Sequence, residues 1–328
     1  MIPVLCVLGA LLALRLLSRL AWGRSLMATA VAFFSRVVPL RARFKTDEAG
    51  TRERLARSRE ERYELPKCFG LSKSVRELSC AGMRVFCLNG EAKSDLVMVY
   101  VHGGGFVEEI TLLHWKYLVN MVRRTDAKIL VPLYPLAPFY TYRDTFPAIV
   151  DLYREIAAEN PGKRMILSGD SAGGCIALAI AEQLAKAEQP DELILLSPAV
   201  YAPVDPKDRA EADCFRKCTL VGIDALNVLA EAWAGGKEAL ASPLVSPYFG
   251  DVSNLKKVTI LTGERDMAYA MSLKLEKKLR SAGVDTETIV GRGMNHVWPV
   301  YPIPEAVKAK RQIAEIIKGG SQNGRTGA

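Results

Sequence analysis

The chain has 328 residues, 49% of them hydrophobic, enough for one large buried core. Its net charge of +8 is concentrated in residues 1–46, which hold Arg15, Arg19, Arg24, Arg36, Arg41, Arg43 and Lys45 and no acid, so the remainder is near neutral. A basic balance confined to one segment, with no interleaved aromatic-basic motif, excludes a nucleic-acid-binding face.

The seven cysteines form an odd set without framework spacing, which suits a reducing, cytoplasmic compartment. Cys214 and Cys218 lie four apart with no second ligand pair near them, so no zinc site is expected.

In chain order, residues 1–60 come first as an apolar and basic helical segment. Ile2 to Leu14 is almost wholly apolar until Arg15, Ser18 and Arg19 interrupt it. That run is shorter than the ~20 residues of a spanning helix. Each arginine near a helix centre would cost about 2.5–3.5 kcal/mol on insertion scales. There is no basic start and no small-residue cleavage site, which argues against a secretory signal. A helix lying on a membrane surface, with residues 1–45 facing anionic headgroups, fits the pattern. Leu26 to Leu40 reads as a second apolar helix. Asp47 to Glu64 is charge-dense and reads as a solvated helix or connector.

From residue 61 the pattern changes. Ser74–Cys80 and Met83–Leu88 flank Ala81-Gly82 as a hairpin. Strands are predicted at Leu96–Val101, Lys128–Leu133, Arg164–Leu167, Leu193–Leu196, Lys257–Leu261 and Thr286–Val290. Helices are predicted near Leu112–Arg124, Phe146–Glu159, Ala172–Ala187, Met267–Ser281 and Pro304–Lys318. This alternation implies an α/β fold over residues 61–318: a mostly parallel sheet with helices on both faces. The stretch 201–254 breaks the rhythm, holds a helix near Asp224–Ala234, and reads as a helical cap insertion. Residues 319–328 form a polar, glycine-rich tail, expected to be disordered.

Four short motifs carry the chemistry. Gly169-Asp170-Ser171-Ala172-Gly173 sits between a strand and a helix, the setting of a nucleophile elbow. A serine hydroxyl needs a base, and only His296 of the three histidines follows Ser171 in the chain. The acid that orients it is expected on a loop after a parallel strand, where Asp266 follows Lys257–Thr262 and Glu264 is the nearest competitor. His102-Gly103-Gly104-Gly105-Phe106 follows a buried strand. Its N–H groups at Gly103, Gly104 and Gly105, with that of Ala172, are candidates for an oxyanion hole. His102 itself is expected to brace this loop by hydrogen bonding.

With these residues the chain resembles the hormone-sensitive-lipase-like branch of the α/β-hydrolases, including bacterial carboxylesterases and arylacetamide deacetylase. The likeness runs from about Arg76 to Lys318. It includes Tyr134-Pro135-Leu136-Ala137-Pro138, Phe146-Pro147-Ala148 and Ser246-Pro247. It implies an α/β-hydrolase fold and a serine carboxylesterase acting on short-chain acyl esters, with no cofactor and no metal. An amide hydrolase or deacetylase would use the same triad, and a non-catalytic receptor on this fold would lack part of it. The family's N-terminal helices cover the active-site mouth, a second reading for residues 1–45. Pro135 and Phe139 stand where the family has Arg and Glu, so an ion pair of the family is missing here. Oligomeric state, alcohol moiety and ester-against-amide preference are not legible in the sequence.

Overall fold

The computed structural model describes residues 2–37, 47–66, 75–205 and 207–319, with side chains of 2–11 and 35–37 left aside. Two helices open the chain, α1 (Ile2–Trp22) and α2 (Leu26–Val37), followed by α3 (Glu48–Ala56). Residues 38–40 of the expected second helix, and the tail beyond Gly319, lie outside the described residues.

Eight strands form one sheet in the order β1-β2-β4-β3-β5-β6-β7-β8 among the described residues. β1 (Val75–Cys80) and β2 (Met83–Leu88) make the predicted hairpin, and β2 pairs antiparallel with β4 (Lys128–Pro132). All other pairings are parallel. These join β3 (Leu96–Val101), β5 (Arg164–Asp170), β6 (Glu192–Leu196), β7 (Lys257–Arg265) and β8 (Asp285–Asn295).

The period-2 rule assigns the two faces. On β3, Val97, Val99 and Val101 join one apolar cluster, whereas Met98 and Tyr100 join the other. Leu193 and Leu195 of β6 likewise oppose Ile194 and Leu196. The first face is covered by α5 (Tyr142–Glu159), α6 (Ala172–Glu182) and α9 (Tyr269–Ser281). The second is covered by α4 (Leu112–Thr125) and α10 (Pro304–Ile317), with Ala28 of α2 beside them. A strand buried on both faces reads as an unbroken apolar run, which is why these segments were legible.

The insertion holds two helices, not one: α7 (Arg209–Lys217) and the expected α8 (Ile223–Ala234). α7 is short and polar on average, and its buried face is narrow, made by Glu211, Cys214 and Phe215. It is started by Asp208, whose side chain accepts from Ala210 and Glu211 N–H groups. Lys274 of α9 donates to Tyr201, Asp208 and Glu211 and ties the insertion to the body. α3 packs on α8, through Leu55 against Val228 and Leu229 and an Arg52–Glu231 ion pair at 2.7 Å.

Other boundaries also shift. α5 begins at Tyr142, four residues before the expected start, because Thr141 and Asp144 form a capping box. β5, β7 and β8 run past their apolar cores into the loops that carry the site.

One group on α6 is poorly solvated. Neither carboxylate oxygen of Glu182 has a hydrogen-bond partner among the described residues. Burial pushes its carboxyl up to about 9, against the pull of Lys278. A raised folded-state pKa stabilises below the unfolded value and loses that stabilisation as pH rises through the folded one. Glu182→Gln is therefore expected to melt higher than the parent, by a margin that widens from about pH 4.5 to about pH 9. Melting curves across that range check it; a margin that shrinks with pH would be the wrong sign.

Candidate active site

Ser171 stands at the turn between β5 and α6 with φ 51° and ψ −119°, a left-handed conformation that side chains rarely adopt. Its surroundings hold it there. The Ser171 N–H donates to Leu196 O at 2.8 Å, and the Ser171 carbonyl accepts from Cys175 and Ala199 N–H groups. Glycine is required on both sides for space. A Cβ on Gly169 would lie 2.3 Å from the Gly173 carbonyl oxygen, and one on Gly173 would lie 2.1 Å from that of Val101.

The structure brings Ser171, His296 and Asp266 together from three separate loops. Ser171 Oγ is 2.9 Å from His296 Nε2, and His296 Nδ1 is 2.7 Å from Asp266 Oδ1. Nδ1–H donates to the carboxylate, leaving Nε2 to accept the hydroxyl proton. Asp266 is fully buried. Burial alone would raise its pKa. The charge and hydrogen bond of His296, with bonds from Ser197 and the Ala268 N–H, more than offset this and hold it below the usual carboxylate value. Thr262 Oγ1 donates to its other oxygen at 3.4 Å. Ser197 also accepts from the Val297 N–H at 2.9 Å, fixing the loop just past His296. Glu264 is elsewhere: its carboxylate accepts from Gly293 N–H at 2.8 Å and shapes the end of β8.

The glycine loop is placed by a residue the sequence reading left without a role. Asp170, beside Ser171, is buried and accepts three bonds: from Tyr100 Oη (2.6 Å), Gly103 N–H (2.9 Å) and His114 Nε2–H (3.1 Å). His114 Nδ1 accepts from Thr111 N–H, which sets that tautomer. Burial would raise the Asp170 pKa, but His114 and these donors lower it. Asp170 thus ties the glycine loop to the elbow. The sequence shows the need but not the partners: a carboxylate at the end of a buried strand requires several donors.

This corrects one expectation. The Gly103 N–H is engaged by Asp170, so Gly103 anchors the loop and does not serve as an oxyanion donor. Gly104 and Gly105 line the cavity beside Ser171, and Ala172 begins α6. His102 is buried, with Nδ1–H donating to Gly103 O at 2.8 Å and its ring stacked on Tyr134, whose hydroxyl donates to His102 O. Burial pulls its pKa down to about 4. It is the neutral brace that the loop's position calls for.

Ser171 and His296 open into a cavity of about 370 Å³. Leu112, Leu220, Leu226, Leu229, Met267 and Val300 give it an apolar wall, with Glu108 at one side. Leu220, Leu226 and Leu229 come from the insertion, so the insertion roofs the site. Among the described residues no group of His, Cys, Asp and Glu is arranged to hold a metal ion.

Residues 98–300 match the model of a family described as having the alpha/beta hydrolase fold. The chain belongs to that family, and within it resembles the hormone-sensitive-lipase-like branch. An esterase from Acinetobacter venetianus is 26% identical over 246 residues, covering 74% of this chain and 80% of that one. A triacylglycerol lipase from Mycobacterium tuberculosis is 26% identical over 231 residues, 70% of this chain, though the match spans only 48% of the lipase. A solved esterase of the bacterial hormone-sensitive lipase family superposes with a TM-score of 0.74 at 23% identity, over 90% of this chain and 98% of that one, a likeness of fold.

Proposed function

We propose that this carboxylic ester hydrolase works through Ser171, His296 and Asp266 on esters of short acyl groups. The observation that carries the mechanism is the unbroken hydrogen-bond chain from Ser171 Oγ through His296 to Asp266. His296 Nε2 takes the hydroxyl proton as Ser171 Oγ bonds to the ester carbonyl carbon. The carbonyl oxygen becomes an oxyanion held by N–H groups of Gly104, Gly105 and Ala172. His296 then returns the proton to the departing alkoxide, leaving an acyl-enzyme. Water, deprotonated by His296 in turn, bonds to the acyl carbon; the bond from that carbon to Ser171 Oγ breaks, and His296 returns the proton to Ser171 as the acid leaves. Asp266 stays ionised, fixes the tautomer and stabilises the imidazolium.

A roofed apolar cavity of about 370 Å³ supports a small acyl group and a modest alcohol in place of a triacylglycerol. The test is a panel of p-nitrophenyl esters of rising acyl length, run beside the matching anilides. Turnover is expected to peak within the first few carbons and to be at least about 10²-fold faster on esters. A maximum at long chains would overturn the acyl assignment, and faster anilide cleavage would make the enzyme an amidase.

A further inference from the structure

The face of the molecule formed by α1 and α2 has no part in the chemistry above. Most of the described side chains of α1 are apolar and uncovered: Leu12, Leu14, Leu16, Leu17 and Leu20 are between 51% and 81% exposed. On α2, Phe33 and Phe34 are 62% and 60% exposed. A helix of this kind is stable only when an apolar phase covers it, and a patch this extensive marks an interaction surface.

The hairpin is nevertheless fixed firmly to the body. Ser18 Oγ donates to the Arg24 carbonyl at 3.0 Å, closing the turn between the helices. Arg24 donates to Gly293 O at 3.2 Å, three residues before His296, and Ser25 Oγ donates to Glu305 of α10 at 2.9 Å. Ala28 and Val31 border a small cavity with Leu220 and Tyr301, and those two residues also line the Ser171 cavity. The turn of the hairpin and α2 are thus held against the body beside residues that line the Ser171 cavity.

Charge selects the occupant. Arg15 and Arg19 are exposed among the leucines, and residues 1–46 hold seven bases and no acid. A second copy packed α1 against α1 would bring the exposed Arg15 and Arg19 of each chain together. Among the described residues no helix is long and apolar enough to cross a membrane. We propose that the α1–α2 hairpin docks the enzyme peripherally on an anionic phospholipid surface, setting the mouth of the Ser171 cavity beside it. Esters dissolved in the bilayer are then its substrates, a part that rests on the function proposed above.

The test is co-sedimentation of the full chain with phosphatidylcholine vesicles, with and without phosphatidylserine, at low and high salt. Binding is expected with phosphatidylserine, weakened by salt. Arg15→Gln with Arg19→Gln should lower partitioning by about fivefold per arginine. Leu17→Glu with Leu20→Glu should abolish it. Both double variants should keep wild-type turnover of a water-soluble p-nitrophenyl ester and lose turnover of an ester dissolved in vesicles. Three results would each overturn docking: no binding to either vesicle, retention on neutral vesicles that resists salt and alkali, or a lipid-free dimer that Leu20→Glu dissociates. Sedimentation does not depend on turnover, so an inactive wild type would refute the ester mechanism alone.

Discussion

Ser171→Ala is expected to lower ester turnover by on the order of 10⁴–10⁶-fold while leaving the protein folded. Members of a triad act as a unit, so removing the nucleophile forfeits the contributions of His296 and Asp266 with it. What remains is the oxyanion hole acting on water. The fold should tolerate the change: the elbow is held by backbone bonds to Leu196, Cys175 and Ala199, none of which uses the hydroxyl. Initial rates on a short p-nitrophenyl ester, with circular dichroism as the fold control, decide it. A variant keeping more than a tenth of wild-type activity would remove Ser171 from the mechanism.

Asp266→Asn carries the second largest expected loss, about 10⁴-fold in kcat. An amide at that position donates where the carboxylate accepts. His296 would turn to the tautomer whose Nε2 carries a proton and cannot take one from Ser171. Glu264→Gln is the paired control, because Glu264 lies two residues away, at the end of β7, but holds Gly293 N–H and not His296. It is expected to cost less than about tenfold, through a looser end of β8. Kinetics of the two variants, compared at equal folded fraction, test the pair, and the reverse ordering would transfer the acid role to Glu264.

The parts of this molecule that were legible in sequence share a physical cause. The central strands are buried on both faces, so Leu96–Val101 and Leu193–Leu196 appear as uninterrupted apolar runs. The elbow was legible because its geometry tolerates only glycine at 169 and 173. His296 followed from chain order among three histidines.

What escaped the sequence reading depends on contacts between distant segments. Asp170 draws donors from Tyr100, Gly103 and His114, and nothing local announces that these converge. The same contact takes the Gly103 N–H away from the oxyanion, which a loop of three equal glycines cannot reveal. α7 was missed because it is short and polar on average and its anchor is Lys274, some sixty residues on. The N-terminal segment could be read two ways, as a membrane-surface helix or as a lid. Among the residues whose side chains are described, none from 12–34 lines the Ser171 cavity. Arg24, Ala28 and Val31 approach it, across the small cavity at Leu220 and Tyr301.

In this mechanism Ser171 Oγ is the atom that bonds to the acyl carbon. A fluorophosphonate that bonds covalently to activated serine hydroxyls tests this most directly, read by intact mass and by peptide mapping. One adduct per chain, on the peptide containing Ser171, with label and turnover lost in parallel, is the predicted result. An enzyme that hydrolyses esters yet carries the label on another residue, or takes no label while remaining active, would contradict it.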